Sequence, residues 1–407
     1  MKRTISILVI VAMMLASVLA ILPASAEEAP AGTAITTAAD FAAMDAAGTY
    51  YLAADITLTE MYSKANFTGT LDGNGKTITL SGIPTAIKEM KGATVSNLKL
   101  VVDYTFASSA AGGALSHWAN GTFTNITVDA KYTIPEGVDM TTALGALFTE
   151  INGTSTLTNC VTNGTISILN NSTKDGQDGG IRYNGAGGIT GKLYTAKEVK
   201  FINCVNNVDI VNTQTNVSNG GFVGGVESQA QLYFENCVNN GDVSGTAKNH
   251  MGISGFVGIL GPNASTTTTF KNCRNNGNLV DLGVEGHQNA YMGGFVGRNY
   301  GSPKVTAENC INTGDVTSSG GGWSGAGGFV GNGMTHGFDW TTTDPGVYVF
   351  NNCINLGNIS GATQSGGIGG AFKQHSRDHG ALLRHMALKN LPARGDPDDQ
   401  GPREIHL

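Results

Sequence analysis

One phrase recurs six times along this 407-residue chain, each time around a cysteine. It reads Thr158-Asn159-Cys160-Val161-Thr162-Asn163-Gly164 at its first occurrence and Asn351-Asn352-Cys353-Ile354-Asn355-Leu356-Gly357 at its last. Cys204, Cys237, Cys273 and Cys310 stand between, so the cysteines are 44, 33, 36, 37 and 43 residues apart. A second phrase follows each cysteine. It is Gly-Gly-Phe-Val-Gly at 220–224, 293–297 and 327–331, with close variants at 187–191, 254–258 and 366–370. Self-similarity at such a period marks a solenoid or a propeller. No stretch keeps a 3.6-residue period long enough for a helix-built repeat, which removes the tetratricopeptide and ankyrin architectures. Short β-type stretches such as Asp242-Val243-Ser244-Gly245 lie between the phrases. The expected fold is all-β: a parallel solenoid of roughly eight to ten coils, three short strands per repeat, rising about 4.8 Å per coil.

Two degenerate copies upstream put Leu98 and Ile126 where later repeats have cysteine. A position that accepts Leu, Ile or Cys is an inward site for a small hydrophobe. Stacked in one phase, the thiols hold their Cβ vectors parallel about 4.8 Å apart. A disulfide needs them convergent and nearer about 3.8 Å. Zinc ligands converge in close pairs on one point, which one cysteine per repeat does not supply. The expectation is a ladder of free thiols at Cys160, Cys204, Cys237, Cys273, Cys310 and Cys353. Beside it, Asn159, Asn203, Asn236, Asn272, Asn309 and Asn352 are expected to bond amide to amide along the axis. The Asn two residues after each cysteine and the Gly four after it are assigned to a turn with positive φ.

These two phrases resemble the GLUG-motif repeats of bacterial secreted and surface proteins, over about residues 90–370. The resemblance implies a right-handed parallel β-helix with an adhesin-like role. Residues 51–58 and 67–78 resemble the opening coils of the same class. Thr37-Ala38-Ala39-Asp40 has the form of a capping box, with Phe41 and Met44 on one face of a short helix that would plug the open core.

The remaining sequence divides around this array. Lys2 and Arg3, an apolar run from Ile5 to Leu22, and Ala24-Ser25-Ala26 read as a secretory signal peptide over 1–26. Residues 27–46 are linker and capping helix, and 47–370 the β-solenoid. Residues 371–407 depart from the repeat: glycine and Asn nearly vanish, and four of the eight His appear. That tail reads as a frameshifted or artificial end, or as a short helix near 381–391 with a disordered extension. The expected location is outside the cell or on its surface, with no membrane span in the mature chain.

Composition narrows the function classes. Glycine contributes 58 residues, about twice the usual share, and the net charge is −7. Nucleic acid requires a concentrated basic surface, which this balance lacks. The acidic column five residues after each cysteine reads Thr165, Asp209, Asp242, Asn278, Asp315 and Asn358. So broken a column suits a solvated turn better than an acid/base pair. His117, His250, His287 and His336 stand isolated, and no metal, cofactor or catalytic residue is assigned. The expectation is a chain that is not an enzyme, with a surface glycan or a host or cell-surface protein as partner. The alternatives are a β-helix polysaccharide lyase or glycoside hydrolase with a diverged site, and a carbohydrate-binding part of a larger truncated surface protein. The segment between Gly320 and Pro345 brings Trp323, Phe338 and Trp340, the candidate ligand contacts.

Overall fold

The computed structural model describes residues 30–371, apart from 109–111, 139, 141, 170–184, 216, 228, 247–250, 262–265, 284–289, 300–303, 322–323, 333–346 and 363. The signal segment, the 372–407 tail and the candidate contacts Trp323, Phe338 and Trp340 lie outside the described residues, as do His250, His287 and His336.

The chain winds as a right-handed parallel β-helix. Among the described residues its strands stack in one 29-stranded and one 7-stranded sheet. A representative coil comprises Gln231–Glu235, Val238–Asn239, Val243–Gly245, Gly252–Ser254 and Val257–Leu260. That is five short segments where the sequence suggests three. The first two are divided by Asn236, whose φ is 54°, and the last two by the bend at Gly255 and Phe256. Coils register residue for residue: Phe234 pairs with Phe270, Phe270 with Ala307, and Ala307 with Phe350.

The turn chemistry differs from the sequence expectation. Left-handed backbone falls on the Asn before each cysteine, from Asn159 (φ 55°) to Asn352 (φ 52°), and equally on Asn97 and Asn125 upstream. Asn tolerates this region because its short polar side chain bonds locally. The Asn two residues after the cysteine is buried instead, as at Asn206, Asn239, Asn275 and Asn312. The glycine four residues after it has the expected positive φ at Gly164 (113°), and at Gly241, Gly277, Gly314 and Gly357 serves close approach instead. A Cβ on Gly277 would lie 1.9 Å from the Gly241 carbonyl oxygen of the coil below, and one on Gly314 equally close to Gly277.

Side chains alternate in and out along strands such as Gln231–Glu235 and Thr267–Lys271, whereas the glycine-phrase strands such as Val257–Leu260 are buried throughout. The column Leu115, Leu147, Ile189 turns aromatic at Phe222 and continues through Phe256, Phe295 and Phe329. Those rings stack nearly parallel, with centroids 4.7, 4.8 and 4.6 Å apart. A second stack, Phe201–Phe234–Phe270, meets the first edge to face.

At the N-terminal end, helix α1 (Ala38–Ala43) closes the core with buried Phe41. Phe41 meets Tyr62 edge to face at 6.5 Å. The capping box is complete: the Asp40 amide donates to the Thr37 hydroxyl, and the Thr37 amide to the Asp40 carboxylate. The Thr36 hydroxyl and amide donate to the same carboxylate. These bonds, led by the Thr36 hydroxyl, lower the Asp40 pKa to about 2. No helix among the described residues is long and apolar enough to cross a membrane.

Candidate functional site: ladder faces and a charged cluster

Each repeat phrase projects polar groups at a fixed place, so stacking converts sequence periodicity into columns. The outermost column is the left-handed corner. Asn125 donates its amide to Asn97, Asn159 to Asn125, Asn203 to Asn159, and so on through Asn236, Asn272 and Asn309 to Asn352, at 2.9 to 3.2 Å. Every donor points toward the N-terminal end, where Asn97 closes the series on the Asp72 carboxylate at 3.1 Å. A second outer column behaves alike. Asn276 donates to Asn240, Asn240 to Asn207, Asn207 to Asn163, and Asn163 to the Asp129 carboxylate at 2.9 Å. Aligned amide donors present partial positive charge at that end, and a carboxylate is the group that offsets it. The Asp129 carboxyl lies below its ordinary range, chiefly through the Lys99 ammonium and then through Asn163.

The buried column runs the other way. Asn206 donates to Asn239, then Asn239 to Asn275, Asn275 to Asn312 and Asn312 to Asn355, each at 2.7 Å. These amides carry no solvent, so each also donates to a carbonyl of its own turn, as Asn239 does to Gly241. A buried amide left without partners would be costly, and the ladder satisfies it.

The thiols form their own inward column. Cys160, Cys204, Cys237, Cys273 and Cys310 are buried, Cys353 is half-buried, and all six are free. Cys237 Sγ donates to the Phe201 carbonyl of the coil below at 3.3 Å. Burial, with the neighbouring Cys204 and Cys273, holds its pKa above the ordinary thiol range. The three acids of the column five residues after the cysteines accept backbone amides of the next coil: Asp242 N–H bonds to Asp209, Asn278 N–H to Asp242 and Asn358 N–H to Asp315. They pin coil to coil.

The outward face of the Gln231–Glu235 column is open. Its central position reads Thr70, Thr94, Thr122, Thr156, Lys200, Tyr233, Thr269, Thr306 and Val349 from coil to coil.

The charged cluster lies elsewhere, and sequence reasoning missed it. Trp118, Glu150 and Lys192 occupy one registered column on three successive coils. Lys192 pairs with Glu227 of the next coil and stands over the Tyr194 ring, 4.7 Å from its centroid. Trp118 donates its indole N–H to Glu150, and burial raises the Glu150 carboxyl above its ordinary range although Lys192 and Trp118 act to lower it. Three of these side chains come from coils with unlike local sequences, so no repeated phrase announces them. The available signal was a charge at 150 and at 192, in a register position that later holds Gly225, Ile259 and Arg298. Among the described residues, no group of three or more His, Cys, Asp and Glu side chains is placed to hold a metal ion.

No known protein family matches the chain, and no curated protein does. Solved structures that match the chain include the following two. One is named IgA1 protease, at 18% identity and a TM-score of 0.38 over 68% of this chain; the match spans 20% of that protein. The other is a candidate immunoglobulin A1 protease from Bacteroides ovatus, at 14% identity and a TM-score of 0.37, covering 84% of this chain and 86% of that one. These names stand against the expectation that the chain is not an enzyme, and that expectation is withdrawn. At such scores the likeness assigns no proteolysis to this chain.

Proposed function

We propose that the chain is exported and works outside the cell or on its surface as an adhesin-like β-solenoid. On this reading its GLUG-like repeats hold a long regular face against an extended partner, a surface glycan or a cell-surface protein. The observation that carries the reading is the corner amide column, exposed from Asn97 to Asn352. Each amide has two N–H donors and two acceptor lone pairs, and the ladder engages one of each along the axis. A periodic polar surface of this kind suits a partner that itself repeats. Trp323, Phe338 and Trp340 stand as proposed contacts on sequence grounds. The test is binding of the purified mature chain to immobilised glycans and to whole cells, before and after Trp323→Ala with Trp340→Ala. Retention on at least one surface is expected, weakened in the double variant. Absence of retention on every surface would sink the proposal.

A second reading draws on the charged cluster. A carboxyl held up by burial beside a Lys–carboxylate pair is the arrangement of an acid poised to protonate a leaving group. On that reading the cluster cleaves a saccharide, and Glu150→Gln abolishes release of reducing ends from a polysaccharide panel. A wild-type chain that releases none removes it.

A further inference from the structure

The open face changes character at one place. From Thr70 to Thr156 its central column is threonine, and then Lys200 and Tyr233 interrupt it before threonine resumes at Thr269. Tyr233 is 36% exposed, a ring standing on a flat, outward surface. Lys200 Nζ lies 5.7 Å from the ring centroid. Its charge is held by Glu198 at 2.7 Å, and on the other side Lys271 pairs with Glu235 at 3.6 Å.

We propose that Tyr233, ringed by Lys200, Glu198, Glu235 and Lys271, is a stacking subsite for one unit of a neutral saccharide. The inference rests on the adhesin-like reading and names its ligand class. Lys200 stands over one side of the ring, and the side that it leaves open offers an apolar surface to the C–H face of a sugar ring. The ammonium and carboxylate groups around it offer donors and acceptors to ring hydroxyls. The two ion pairs balance, so the patch has no excess charge with which to select an acidic polymer. A peptide strand is poorly served here, because peptides add to open sheet edges. The strand bearing Tyr233 is paired on both sides, to Thr190–Ile202 below and Thr267–Lys271 above.

The experiment is affinity electrophoresis of the full mature chain through gels containing galactomannan, soluble β-glucan or starch, with pectate and alginate as charged counterparts. Retardation by at least one neutral polymer is expected. Tyr233→Ala should lose about tenfold in affinity, Tyr233→Phe should keep it, and Tyr51→Ala on the same face should be neutral. These side chains lie on the surface, so unchanged circular dichroism should accompany each variant. Wild-type binding that survives Tyr233→Ala overturns the subsite and leaves the adhesin-like reading standing. Retardation only by pectate or alginate, or by no polymer, overturns the neutral-sugar assignment, while binding to whole cells still tests the broader reading separately.

Discussion

The coils before residue 135 and the cysteine repeats after it share one backbone path but fill it differently. Asn97 and Asn125 turn the same left-handed corner as Asn236 and Asn272, with φ between 52 and 55°. Inside, the early coils place Leu98 and Ile126 where the later ones place Cys, and a neighbouring column runs Leu115, Leu147 and Ile189 before it turns to Phe from Phe222 onward. The two columns change at different coils, Leu or Ile giving way to Cys at Cys160 and aliphatic side chains to Phe at Phe222. The later coils also replace Val102 and Ala130 with Gly at most turns of the corresponding column, because their chain bends there while the early strands run straight through. Corner geometry is thus the shared constraint, and core composition is free to vary.

Breaking the aromatic stack should have the largest effect. Phe256→Ala removes a ring stacked between Phe222 and Phe295, and should destabilise by about 3–5 kcal/mol in urea unfolding. Leu147→Ala, in the aliphatic half, should cost less, about 2–4 kcal/mol; equal or inverted values would contradict the division into two core types. Gly277→Ala follows. With a Cβ forced against a carbonyl oxygen, it should cost about 2–4 kcal/mol, whereas Ala130→Gly in the straight early strand should cost only about 1 kcal/mol.

The two amide ladders come next. Asn239→Ala strips buried partners from Asn206 and Asn275 and should cost about 1–3 kcal/mol, against less than about 1 kcal/mol for exposed Asn272→Ala. Matching losses would mean that burial does not distinguish the columns.

The smallest effects are those of pH, and they have opposite signs. The Asp40 carboxyl is depressed to about 2 when folded, so its contribution is present above about pH 4 and fades as pH falls toward 2. Fraying of the N-terminal cap, followed by Tyr62 fluorescence, should appear in that window and be absent in Asp40→Asn. The Glu150 carboxyl is raised, so its stabilising contribution is full below its unfolded pKa near 4.5 and is lost as pH rises above it. Glu150→Gln should therefore raise the melting temperature at pH 7 and leave it unchanged at pH 4. A lower melting temperature at pH 7 would show that the Trp118 and Lys192 contacts outweigh the burial.

Sequence alone determined the solenoid, because a phrase that repeats with one inward residue admits few ways to bury it except by stacking. The capping box at Thr37–Asp40 was legible for the same kind of reason: its bonds are local, three residues apart. The cysteine argument was equally direct, since a column that accepts Leu, Ile and Cys must face the core. Tertiary structure decided what no single repeat contains. Which Asn is left-handed and which is buried depends on the neighbouring coil, as does the reason for glycine at 277, where the obstacle is a carbonyl 36 residues away in the chain. The opposed directions of the inner and outer ladders have no signature in one phrase. Nor does the meeting of Trp118, Glu150, Lys192 and Glu227, since residues about one coil apart become neighbours only once the coil lengths between them are fixed in space.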